Sequence, residues 1–136
     1  MPPRIARCDA SKEFYAAQER CHIIEIWRSP DDSMSIARAR VEPGVTTAWH
    51  ALDGVTERYI LASGTGRMEV GDLAPADVGP GDTVFIPAGV RQRITNTGAA
   101  DLIFYCVCTP PFTPGCYRDL ERAPHVNSPV ARANGT

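Results

Sequence analysis

Lysine is almost missing from this chain: of its 14 basic side chains only Lys12 is a lysine. Lys12 lies in a polar amino-terminal stretch, which sets aside Schiff-base chemistry and its need for a desolvated amine. Histidine is scarce too, at three residues, His22, His50 and His125. No apolar run approaches the ~20 residues of a membrane-spanning helix, and the opening MPPRIARCDASKEFY lacks the apolar centre of an export signal. A dominant charge is also lacking. The net charge is −2 and the isoelectric point is near 5.9, which leaves no basic footprint for nucleic acid or an anionic membrane. Five cysteines, an odd number without an export signal, read as free thiols in a reducing cytoplasm.

What is present is β-type sequence. The 136 residues suffice for one domain with a sizeable core. Residues 1–20 form a polar arm with a weak helical pattern over 9–19, where Asp9 or Ser11 could cap. That arm is too short for a helix-turn-helix domain. From Cys21 onward short runs alternate in period two, among them CHIIEIW, SIARARV, TERYILAS, TVFIPAG and DLIFYCVC. Turn residues separate them, such as Pro43-Gly44, Asp53-Gly54, Gly64-Thr65-Gly66 and Gly79-Pro80-Gly81. Short strands punctuated this way predict an all-β barrel or sandwich. Residues 113–136 read as an irregular tail. Phe112, Tyr117 and Leu120 are placed to pack on the barrel's outer face, and the final HVNSPVARANGT is expected to be disordered.

Two half-patterns carry the most information. The first is Gly44, five residues, His50-Ala51-Leu52, four residues, Glu57, six residues, Gly64. The second is Gly81, five residues, Pro87-Ala88-Gly89, two residues, Gln92, three residues, Asn96. Together they resemble the paired motifs of the cupin superfamily over roughly residues 34–112. The resemblance implies a single-domain double-stranded β-helix, or jelly-roll barrel, over residues 21–112, a homodimer, and one metal in the barrel mouth. Metal-binding relatives carry histidine where this chain has Leu52 and Gln92. Relatives include dioxygenases, decarboxylases, isomerases, epimerases, storage proteins and ligand sensors, and fold alone does not choose among them.

Alternation along the strands predicts which side chains share the interior. His50 and Leu52 go together on one strand, Glu57, Tyr59 and Leu61 on the next, and Gln92, Ile94 and Asn96 on a third. The expected cavity is therefore His50, Leu52, Glu57, Tyr59, Leu61, Gln92 and Ile94, apolar with a few convergent polar groups. Trp49, Ala51, Arg91 and Arg93 face away, the two arginines as surface residues or in a subunit contact. A carboxylate inside a barrel needs pairing, protonation or a cation. His50, Glu57 and Gln92 with water would make a mixed site for one divalent ion such as zinc, iron, nickel or manganese. Without metal, Glu57 is a candidate general base with His50 or Tyr59 as the acid, as in an isomerase or epimerase. A His50–Glu57 hydrogen bond of purely structural purpose, or a barrel that binds a small organic molecule and does no chemistry, are the remaining readings. Cys106 and Cys108 share one face of the last barrel strand, where they read as small buried hydrophobes rather than a disulfide or metal ligands. His22 reads as a surface or core residue and His125 as a solvated one.

Overall fold

An antiparallel strand with one buried face hides every second residue, and Thr56–Ser63 does so, with Glu57, Tyr59 and Leu61 buried in turn. The computed structural model of the protein describes residues 1–121. Among these it has strands β1 (Phe14–Ala16), β2 (Cys21–Arg28), β3 (Ser35–Val41), β4 (His50–Leu52), β5 (Thr56–Ser63), β6 (Gly66–Val70), β7 (Ala76–Val78), β8 (Thr83–Ile86), β9 (Gln92–Asn96), β10 (Leu102–Thr109) and β11 (Tyr117–Asp119). They form two antiparallel sheets, ordered β1-β2-β3-β10-β5-β8 and β11-β4-β9-β6-β7. This is the all-β jelly roll that the motifs imply. No helix among the described residues is long and apolar enough to cross a membrane.

Register decides which side chains meet inside. On β10 and β5, Cys108 lies opposite Glu57, Cys106 opposite Tyr59, and Phe104 opposite Leu61. On the other flank of β10 the same three residues face Ser35, Ala37 and Ala39 of β3. In the second sheet Gln92 pairs with His50, while Ile94 pairs with Met68. The core gathers around Phe104, Leu61, Ile86, Ile94 and Leu102, all essentially inaccessible, each worth about 1.5–3 kcal/mol of burial.

Motif residues outside the site serve the turns. Gly64 has φ +83°, and a Cβ there would sit 2.6 Å from the Asp101 carbonyl oxygen, so only glycine fits. Asn96 latches the ends of three segments. Its Nδ2 donates to the carbonyls of Val41 and Ala100, both at 2.8 Å, and its Oδ1 accepts from the Gly98 amide at 2.9 Å.

The amino-terminal stretch departs from the helical expectation. Asp9 caps one 3-10 turn, Ala10–Lys12, after which β1 pairs with β2. The Glu13 carboxylate is held by Arg38 and Arg40 of β3, and strand pairing with these ionic bonds overrides a weak local propensity. At the other end, Phe112 and Tyr117 do not cover the outer face. They pack with Leu52, Val55, Cys108 and Cys116, because β11 adds to β4. His125 and the expectation of disorder at the chain's end lie outside the described residues.

Candidate functional site

The predicted polar residues form a connected chain across the seam between the sheets. Tyr59 Oη donates a short hydrogen bond to Gln92 Oε1, and Gln92 Nε2 donates to Glu57 Oε1 at 2.8 Å. The Cys108 thiol reaches Glu57 Oε2 at 3.7 Å. Burial raises the Glu57 pKa, and the hydrogen bonds from Gln92 and Cys108 work against that rise. Burial likewise pushes Tyr59 well above its ordinary range, so the phenol keeps its proton and the role of donor.

His50 is built differently. Its Nδ1 lies 2.7 Å from the Ala48 carbonyl oxygen, and since a carbonyl only accepts, Nδ1 carries the proton. The ring stacks on Tyr117, with centroids 5.0 Å apart and planes 17° from parallel. Burial lowers its pKa, which favours the neutral imidazole. Among the described residues no hydrogen bond joins His50 to Glu57, so each is satisfied separately.

The family resemblance implies one divalent ion, for which His50, Glu57 and Gln92 are the candidate ligands. No group of three His, Cys, Asp or Glu side chains among the described residues could hold a metal. Gln92 has its oxygen committed to Tyr59 and its amide nitrogen turned to Glu57. The two oxygen ligands expected of Glu57 and Gln92 are thus tied to one another instead of converging on an ion. Leu52 belongs to an apolar cluster with Val55 and Cys116. In this arrangement the residues do not fit a bound divalent ion.

A cavity of about 530 Å³ opens beside this chain of bonds, against the inner face of the first sheet. Of the seven residues expected around the cavity, only Glu57 lines it. Leu52, Leu61 and Ile94 are packed into the core, and His50, Tyr59 and Gln92 are buried away from the cavity surface. Side-chain size explains the displacement. The inward positions of β3 and β10 here are Ser35, Ala37, Cys106 and Cys108, all small, so the sheet leaves room that larger residues would fill. That pattern, legible in SIARARV and YCVC, was the available signal. The β2 register shifts between Glu25 and Trp27, and Ile26 and Trp27 both line the cavity.

Sequence reasoning also passed over Glu19, in the turn between β1 and β2, which lines the cavity with Glu57. Burial, then the charge of Glu57, raises its pKa to about 7. Trp49 and the two arginines beside Gln92 stay on the far face: Arg93 sits over the Trp49 ring at 4.3 Å and bonds Glu69. His22 pairs with Glu42 at 2.7 Å, outside the cavity lining. All five cysteines are free.

A two-sheet jelly roll with a buried polar cluster at its mouth defines the class of protein. The cupin domain family matches residues 37–108, and the chain belongs to that family. It is 33% identical over 79 residues to the uncharacterized protein MJ1618 of Methanocaldococcus jannaschii, covering 58% of this chain and 62% of that protein. The chain thus spans less than two thirds of that relative's length. Among solved structures it is similar to a predicted oxalate decarboxylase from Thermotoga maritima, with TM-score 0.70, 21% identity, and coverage of 79% of this chain and 99% of that one. It is also similar to a cupin 2 conserved barrel domain protein from Salinispora arenicola, with TM-score 0.67, 20% identity, and coverage of 80% and 90%. At these identities the structural likeness speaks for the fold alone.

Proposed function

We propose that this cupin binds a small organic molecule in the cavity against Glu57, and that it does so without a bound metal. The observation that carries the reading is the cavity itself. At about 530 Å³ it falls in the ~300–1,000 Å³ range of small-molecule sites, and its wall contains Glu57, the one motif carboxylate. The Gln92 amide supports the metal-free part, since it spends both its polar atoms on Tyr59 and Glu57. Acid/base turnover by Glu57 with His50 is a weaker reading, because His50 does not line the cavity. A homodimer remains part of the proposal, to be read by sedimentation velocity.

The test combines a library of small organic molecules, screened by amide chemical shifts, with elemental analysis of untagged protein. Binders are expected to move the signals of Ile23, Glu57, Cys106 and Phe112, and metal is expected only in trace amounts. A library without binders, or binders that move signals only elsewhere, would sink the cavity reading. Stoichiometric zinc, iron, nickel or manganese that disappears in His50→Ala would overturn the metal-free part.

A further inference from the structure

Carboxyl groups outnumber basic side chains around the cavity. Glu19, Glu25 and Glu57 contribute to its lining, and Arg28 is the one basic side chain that does so among the described residues. Arg28 is already paired, its Nε 3.1 Å from Asp32 Oδ1 at the exposed rim. Register places Glu25 on the same face as Ala37, which is also a lining residue, so this carboxylate belongs to the cavity mouth rather than to the outer surface.

The rest of the wall is apolar and aromatic. Phe14, Trp27 and Phe112 supply rings, while Ile23, Ile26 and Ile36 supply aliphatic surface. The Trp27 indole Nε1 is buried and has no hydrogen-bond partner in the protein. Glu19 and Glu57 line one partly desolvated space, where carboxyl groups are satisfied by a proton or by a counter-cation. Ring faces attract the same charge, tryptophan most strongly.

We propose that the cavity selects a small organic cation, an ammonium group carried on an apolar body, with Glu19 and Glu57 as counter-charges and Trp27 as the wall. Glu19 then acts as a specificity-determining residue that lies outside both family half-motifs. This inference rests on the cavity being a binding site, and the test separates the two.

Three probes share one aromatic body and differ in charge: phenethylamine, 2-phenylethanol and 3-phenylpropanoate. Titration calorimetry at neutral pH is expected to rank them in that order, with the amine about tenfold tighter than the alcohol. Glu19→Gln should weaken the amine about fivefold and leave the alcohol within about twofold. Glu25→Gln, a change at the exposed rim, gives the same direction with a smaller effect and controls for misfolding of the Glu19 variant. If alcohol or acid binds as well as the amine, the cation inference is overturned while the cavity reading stands. If none of the three binds, the inference also falls, and the broader library then decides the cavity reading separately.

Discussion

The barrel interior has two halves built from the same alternation to opposite effect. Against the second sheet, the inward positions hold Leu52, Met68, Gln92 and Ile94, all buried, and the space is filled. Against the first sheet, the corresponding positions near the mouth hold Ser35, Ala37, Cys106 and Cys108, and a cavity results. Deeper in the first sheet Ala39 faces Phe104 and Val41 faces Leu102, so large partners close the barrel again below the cavity. Pocket position in this protein therefore follows from side-chain volume on particular strands, with the backbone topology common to both halves. The motif polar groups lie on the seam, where Glu57 alone looks into the open half.

The largest expected effect comes from breaking the closed half. Ile94→Ala should cost about 2–5 kcal/mol in urea denaturation, because a fully packed site cannot collapse around the void. The matching change in the open half is Ala37→Leu, which fills existing space. It should alter stability by less than about 1.5 kcal/mol while cutting ligand affinity more than tenfold. Equal destabilisation by the two changes would mean that the halves do not differ in packing as described.

The seam gives the next effect. Gln92→Leu removes the one side chain that satisfies both Tyr59 and Glu57, and should cost about 2–3 kcal/mol by leaving two buried polar groups short of a partner. Tyr59→Phe leaves only the Gln92 oxygen unpaired and should cost about 1–2 kcal/mol. Because the two share one bond, the double variant should lose less than the sum. Strict additivity in the denaturation data would contradict the Tyr59–Gln92–Glu57 connection.

Much of this architecture was legible from the chain. Period-two runs and turn residues gave the strands, and alternation put Glu57, Tyr59 and Leu61 on one face, as found. The helical pattern over 9–19 misled, because it weighed local propensity without the Arg38 and Arg40 that hold Glu13. The cavity was misplaced for a related reason. Alternation says which face a side chain takes, but open volume depends on sizes summed over β2, β3, β10 and the segment carrying Phe112, which the sequence pattern does not bring together. The position of Glu19 depends on a turn whose path only the pairing of β1 with β2 defines. Hydrogen-bond partners were harder still: the sequence offered His50 to Glu57, and the structure instead gives Glu57 the Gln92 amide and the Cys108 thiol.

The smallest expected effect concerns how the open half keeps its outer wall. Glu13 precedes Phe14, a cavity-lining residue, and anchors the arm through Arg40 Nη2 at 2.6 Å and Arg38 Nη2 at 3.2 Å. The hydrogen bond from Arg40 is the main cause that holds its pKa down, at about 2, against an ordinary glutamate value of ~4.3. A depressed folded-state pKa stabilises fully above the unfolded value, and that contribution is lost as pH falls through the folded one. Glu13→Gln should therefore cost about 1 kcal/mol at pH 7, a modest figure suited to a partly exposed pair. The gap between variant and wild type should close as pH drops from about 5 to about 2, as read by denaturation at each pH. Loosening the arm should also weaken cavity ligands without changing the cost of Ile94→Ala, since the two sites share no partner. If the gap instead widened in acid, the Glu13–Arg40 bond would not be what fixes the arm, and the wall of the open half would need another anchor.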